Sequence, residues 1–262
     1  MQQSLHSRRV LKLSGKDRSD FLQGLVTNDV RRLCEGPLHA ALLTPQGKYL
    51  ADFFLVEDGD SILIDVAEPL ADALKSRLSM YRLRSDVEIG DTDLGVETGL
   101  GPPPPGAFAD PRLPALGWRR ITPAPAPPDP EEARRREALR VAHCVPESLI
   151  ELIPGETYIL EAGFERLNGV DFRKGCYVGQ EVTARMKHKT ELRKGLATVE
   201  IEGEAPVGTP IIGEGGRRAG TLYSQAEGKA IAHLRFERAK GEMRAGPARL
   251  WLSGNSRDTQ TP

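Results

Sequence analysis

The residues of this chain best suited to chemistry lie in 158–189, with the thiol of Cys176 at their centre. In Lys174-Gly175-Cys176-Tyr177-Val178-Gly179-Gln180-Glu181, one cysteine stands between two glycines, with a lysine two residues before it and a carboxylate five after. The glycines predict a turn whose backbone takes positive φ or approaches another segment closely. Across 173–194 there are seven Lys or Arg against two Glu, so the thiol sits in a locally positive field. Such a field favours the thiolate, the form that attacks electrophiles and binds metals. The competing reading is a small buried cysteine packed beside a tight turn.

The rest of the composition bounds what this thiol can serve. With 262 residues, 28% charged and 39% apolar, the chain can bury a sizeable core as one large domain or two to three small ones. A net charge of −1 argues against bulk attraction to nucleic acid or a membrane surface, so any anion site must be local. The three cysteines, Cys34, Cys144 and Cys176, are odd in number and far apart. They form no CxxC or Cys/His pattern that would hold zinc or a cluster. That usage suits a reducing compartment. No apolar run reads as a signal peptide or a bilayer-spanning helix. The expectation is a soluble cytoplasmic monomer with no resident metal, no nucleic-acid partner and no membrane contact.

Several elements must position the thiol. Residues 8–13 read as a strand and 17–23 as a short helix closed by Gly24. Thr27, Asn28 and Asp29 read equally well as turn and cap residues or as ligand-facing ones. Strands follow at 39–43, 48–56 and 61–66, the last two joined through Asp58-Gly59, a hairpin signal. Residues 68–80 predict a helix with Leu70, Ala73, Leu74 and Leu78 on one stripe. Strands are expected near Val87 and at 94–97, then a proline loop at 102–105. A stiff linker at 122–130 leads into a helix capped by Asp129 that ends near His143. Its Arg134-Arg135-Arg136 run reads as a solvated face. The short apolar runs at 195–201, 209–212, 217–223, 229–234 and 248–252 predict a small antiparallel barrel, with 254–262 frayed. The organisation expected is α+β: an N-terminal region 1–121, a linker 122–130, a motif-bearing region 131–191 and a barrel 192–255.

The octapeptide 174–181 resembles the signature of the folate-binding YgfZ proteins, whose mitochondrial relatives are the Iba57-type iron–sulfur assembly factors. Both are cousins of the glycine-cleavage T-protein, a tetrahydrofolate-dependent aminomethyltransferase. The stretches 21–30 and 112–119 resemble other motifs of the same family, and Leu160-Glu161-Ala162-Gly163 is similar to the T-protein string whose Glu holds the pterin. The resemblance implies a T-protein-like scaffold around a central folate cavity, with tetrahydrofolate or a derivative as ligand. It implies Glu161, Tyr177, Gln180, Glu181, Arg185 and Asn28 as folate contacts, with Lys187, His188 and Lys189 adding charge for the folate tail. It further implies Cys176, with Lys174 beside it, as the functional thiol in assembly or repair of iron–sulfur clusters. The partners would then be the assembly machinery and client enzymes, and the compartment the mitochondrial matrix if the source is eukaryotic. The segment 47–52 departs from the transferase pattern. Only Asp52 is acidic, with Ala51 where the first of two carboxylates would lie. A C1 transferase using Asp52 is the alternative, and a non-catalytic folate-binding scaffold is the third reading.

Overall fold

The computed structural model of the chain describes residues 7–188 and 192–252. Lys189 and the tail 254–262 therefore lie outside the described residues. The first unit is a five-stranded antiparallel sheet in the order β2-β3-β4-β1-β5. Its strands are β1 (Arg8–Ser14), β2 (Leu38–Leu43), β3 (Tyr49–Asp58), β4 (Ser61–Ala67) and β5 (Glu88–Asp91). Helix α1 (Arg18–Gln23) follows β1, and a 3-10 turn, Val30–Glu35, precedes β2. Helix α2 (Glu68–Tyr81) starts with Pro69 in its first turn, where the missing N–H costs nothing. It buries Leu70, Ala71, Leu74 and Leu78. Ala73, expected on that stripe, is exposed. At 100° per residue the leucines centre nearer Ala71 than Ala73, which falls outside the buried arc.

A second, three-stranded sheet has the order β6-β8-β7, formed by β6 (Gly95–Gly99), β7 (Phe108–Ala109) and β8 (Trp118–Thr122). Strand β8 falls where the sequence offered only a motif and the start of a linker. The following residues are held rather than free, because Ala126 N donates to Glu97 Oε1 at 2.6 Å. Helix α3 (Pro130–Ala142) is capped as expected, Asp129 accepting from Glu131 N and Glu132 N. Irregular chain then leads to α4 (Gln180–Lys187), a helix the sequence reading did not separate from the motif.

The third unit is a closed antiparallel barrel, ordered β10-β11-β12-β9-β14-β13. It comprises β9 (Lys194–Glu202), β10 (Pro210–Ile212), β11 (Arg218–Ala226), β12 (Lys229–Arg235), β13 (Met243–Ala245) and β14 (Ala248–Leu252). The five expected runs are all strands, and the three-residue β13 was too short to read. The barrel has its own apolar core, centred on Val199, Ile211, Leu222 and Leu250. The larger core joins the first sheet to α1, α2, Phe164 and Tyr177, and reaches the barrel at Leu196 and Ile231. The architecture is a mixed α/β scaffold carrying a closed six-stranded barrel.

Candidate functional site

Two glycines fix the Cys176 loop against the first sheet. Gly179 has φ +84, and a Cβ there would lie 2.6 Å from the Thr44 carbonyl oxygen and 3.0 Å from Leu43. Gly47, in the β2–β3 turn, would clash with Val182 at 2.8 Å. The start of α4 therefore sits directly on the 44–47 turn, a contact open only to residues without a side chain. Gln180 Oε1 accepts from Tyr177 N at 3.1 Å and Thr183 Oγ1 donates to Gly179 O at 3.2 Å.

Lys174 anchors the other end of the loop. It is 6% exposed, and its Nζ donates to the carbonyl oxygens of Gln23 and Val26, the latter at 2.7 Å. Gln23 Nε2 donates back to Lys174 O at 3.2 Å. The ammonium thereby caps the carbonyl end of α1, the end that attracts a cation. It also stands 5.1 Å from the Tyr177 ring centre. Burial lowers the Lys174 amine to about 8, against the opposing pull of Asp29 and Asp171. Lys174 thus points into the protein as a tether. Gly175 and Cys176, between the tether and the α4 contact, are exposed. Of the other cysteines, Cys34 is also exposed and Cys144 is buried, its thiol pushed up to about 11 by burial.

The residues assigned to folate by resemblance differ in exposure and in their partners. Asn28 is 5% exposed, and its Nδ2 donates to the His39 and Asn168 carbonyls, each at 2.8 Å. Its neighbour Thr27 donates to Gly169 O at 2.6 Å and accepts from Ala41 N at 2.8 Å. Both are braces between β2 and the 168–171 segment, which favours the turn-and-cap reading. The Tyr177 ring is 8% exposed and packs in the core, and its hydroxyl has no hydrogen-bond partner among the described residues. Glu181 and Arg185 are exposed on α4, and Lys187 pairs with Glu165. His188 follows the helix, exposed.

Glu161 lies where the central region meets the barrel. Its carbonyl accepts from Leu196 N at 2.7 Å, and a Cβ at Gly195 would come within 2.9 Å of that oxygen. Its Oε2 lies 3.3 Å from both Lys194 Nζ and His233 Nε2. The other oxygen, Oε1, has no partner among the described residues, and the side chain is 10% exposed. That oxygen is a free acceptor for a donor edge, as is the exposed carboxylate of Glu181. Two surface hollows, of about 620 and 380 Å³, are lined by residues 17 and 81–85 and by 100–101 and 129–135, away from every residue assigned to folate.

Asp52 faces the interior of the first sheet, 3% exposed. Its Oδ1 accepts from Tyr49 Oη at 2.8 Å and Ser148 Oγ at 2.6 Å, and Oδ2 lies 3.1 Å from His39 Nε2. The Leu167 carbonyl faces the other His39 nitrogen at 3.2 Å. Burial alone would raise this carboxyl, but bonding and charge from His39, the Ser148 hydroxyl and the charge of Arg8 outweigh it and hold it below the ordinary 3.8.

Sequence reasoning missed a buried ion network next to Asp52. Asp65 on β4 binds Arg8 and Arg119, each at 2.6 Å. Asp110 binds Arg112 at 2.9 Å, Arg136 at 3.1 Å and Arg119 at 3.4 Å. Three of these guanidiniums surround the Phe54 ring, Arg119 closest at 4.0 Å. Arg136 belongs to the run expected as a solvated face. It turns inward because the α3 face bearing it packs on the 110–116 segment, where its Nε also donates to Leu116 O at 3.1 Å. The motif at 112–119 held the one signal, two arginines spaced for this contact.

Comparison with known proteins places the chain. Residues 193–254 match the family described as CAF17, C-terminal beta-barrel domain. The fold resembles the glycine cleavage system aminomethyltransferase T of Bartonella henselae with a TM-score of 0.73, over 95% of this chain and 84% of that one, at 12% identity. The mitochondrial iron–sulfur cluster assembly factor IBA57 of Mus musculus is 30% identical over 91% of this chain and 78% of its own length. The IBA57 homolog of Pyricularia oryzae is 32% identical over 74% of this chain, which spans only 55% of that protein. The human factor is 28% identical, again over 91% of this chain and 78% of its own length. With the T-protein-like scaffold, the CAF17-type barrel and this similarity along most of its length, the chain belongs to the IBA57 family of iron–sulfur cluster assembly factors.

Proposed function

We propose that this chain acts in the assembly or repair of iron–sulfur clusters in client enzymes, with Cys176 as its functional thiol. The observation that carries the reading is an exposed cysteine on a loop tethered at one end by buried Lys174 and at the other by Gly179. Clusters usually take four protein ligands. Among the described residues no three His, Cys, Asp or Glu side chains come together as a metal site. A cluster touching Cys176 would therefore take its remaining ligands from a partner, either the assembly machinery or the client. The similar assembly factors are mitochondrial, which supports the matrix for a eukaryotic source.

Folate binding, as in the YgfZ-type reading, is supported most by Glu161, nearly enclosed where the central region meets the barrel, while Glu181 and Arg185 stand exposed on α4. The unpaired Oε1 of Glu161 suits the donor edge of a pterin, whereas Asn28 and Tyr177 are committed to packing. The transferase alternative has less support, because both Asp52 oxygens are already engaged inside the sheet.

The deciding experiment replaces the chain in cells that lack it and assays one cluster-dependent enzyme. Cys176→Ser is expected to keep the parent's melting temperature and lose the enzyme's activity, and full activity in that variant would remove the thiol from the function. Tetrahydrofolate titration by calorimetry tests the ligand separately. Glu161→Gln should weaken binding by about 1.5–3 kcal/mol. No binding by the parent would discard folate and leave the thiol reading standing.

A further inference from the structure

The end of α2 carries apolar surface that the fold leaves uncovered. Met80 is 66% exposed and Leu83 90% exposed. The Leu83 backbone has φ +39, a left-handed value that costs a non-glycine residue about 1–3 kcal/mol. A loose turn would relax out of it, but this turn is pinned on both flanks. Arg82 N donates to Ser79 O at 3.3 Å and Ser85 N to Arg82 O at 2.8 Å. Asp86 N donates to Asp17 Oδ2 at 2.8 Å, and Asp17 N returns a bond to Asp86 O at 3.3 Å. Gly15 closes the same contact, since a Cβ there would lie 2.2 Å from Asp86 O. Leu83 is the outward apex of a held turn.

Its surroundings define what would cover it. The hollow of about 620 Å³ opens beside it, bounded by Tyr81, Leu83, Arg84 and Ser85, with Asp17 already spent on Asp86. Arg77, Arg82 and Arg84 are exposed. Among the described residues none of these three guanidiniums has a carboxylate partner, whereas Lys16 nearby is 3.6 Å from Asp86. An apolar apex with a hollow beside it and unpaired cations around it is complementary to an apolar side chain flanked by carboxylates.

We propose that the surface formed by residues 77–85 docks an acidic amphipathic segment of a partner protein. Its apolar side chain would seat against Met80 and Leu83, and its carboxylates on Arg77, Arg82 and Arg84. Single-stranded nucleic acid fits less well, because its bases stack on exposed aromatic rings and Tyr81 is only half exposed. A two-fold contact with a second copy would set arginine against arginine. This surface shares no residue with the Cys176 loop, so the proposal does not depend on the thiol reading.

Fluorescence anisotropy tests it on the full chain. The probe is a labelled 16-residue helical peptide with Leu along one stripe and Glu elsewhere; the comparators are its Glu-to-Gln form and a 16-nucleotide single-stranded DNA. Binding is expected to weaken with salt, to be lost with the Gln peptide, and to fall at least ten-fold in Leu83→Asp and in Arg82→Glu/Arg84→Glu. Arg134→Glu, exposed on α3, should bind as the parent does. Leu83→Gly removes both the side chain and the left-handed strain. It should weaken binding while raising the melting temperature by about 2 °C, a pair of effects that a packing role would not produce. Three results would each overturn the proposal. They are variants that bind as the parent does, DNA that binds as well as the peptide and ignores Leu83→Asp, and parent dimers in light scattering that Leu83→Asp dissolves.

Discussion

Asp52 on β3 and Cys176 before α4 both carry groups capable of chemistry, in opposite settings. Asp52 is 3% exposed, and both its oxygens take contacts from Tyr49, Ser148 and His39. Cys176 is exposed and has no hydrogen-bond partner among the described residues. A buried carboxylate with both oxygens bonded is held by the fold and helps to hold it. An exposed thiol contributes almost nothing to folding, so the tethering of its loop is spent on presentation. Enclosure and presentation therefore make different demands on substitution, and the two can be separated by experiment.

The largest expected effect is acid unfolding of the enclosed region. Asp52, Asp65 and Asp110 all have carboxyls held below the ordinary 3.8, because partner hydrogen bonds and arginine charge outweigh burial. A depressed folded value means stabilisation that is fully present above about 3.8 and lost as pH falls through the folded values. The urea midpoint should hold down to about pH 4 and drop below it, and Cys176→Ser should leave that profile unchanged. A midpoint that rises on acidification would mean the buried pairs do not stabilise the fold. Next in size is Asp52→Asn, which leaves His39 facing an amide and should cost about 3–5 kcal/mol in urea unfolding. A fully stable Asp52→Asn chain would break the contrast and return Asp52 to the transferase reading.

Smaller effects belong to the presented region. Gly179→Ala adds a clash with Thr44 to a left-handed backbone and should cost about 3 kcal/mol. Gly175→Ala, at φ +101 with open space around it, should cost only about 1 kcal/mol. Equal costs would show that the α4 contact with the 44–47 turn is slack. Comparable in size to Gly175→Ala is Lys174→Met, which keeps the stem and removes the ammonium. Leaving the Gln23 and Val26 carbonyls unpaired should cost about 1–2 kcal/mol. Alkylation of Cys176 should speed up as the loop loosens, and an unchanged rate would mean that Lys174 does not hold the thiol in place.

The elements with strong periodicity were legible in the sequence, and the contacts among them were not. The hairpin at Gly59, the Asp129 cap and five barrel strands each follow from a local rule about turns, caps or alternation. The T-protein scaffold was legible only through resemblance. Lys174 shows the limit: next to a cysteine in sequence it reads as a source of field, yet its long stem carries the charge inward to α1. Arg136 fails likewise, since nothing local reveals that Asp110 waits beneath that face of α3. Asn28 could be a brace or a ligand contact until the carbonyls of His39 and Asn168 were placed around it.

The barrel's closure has a consequence for synthesis. Strand β9 is bonded on one side by β12 and on the other by β14, whose pairs run from Arg249↔Glu202 to Leu252↔Val199. A nascent chain released only through β12 therefore presents β9 with one edge still bare. An uncovered strand edge invites pairing with other chains. Nascent chains halted before β14 should accumulate as aggregates. Releasing about twenty more residues would complete the cylinder and remove that hazard.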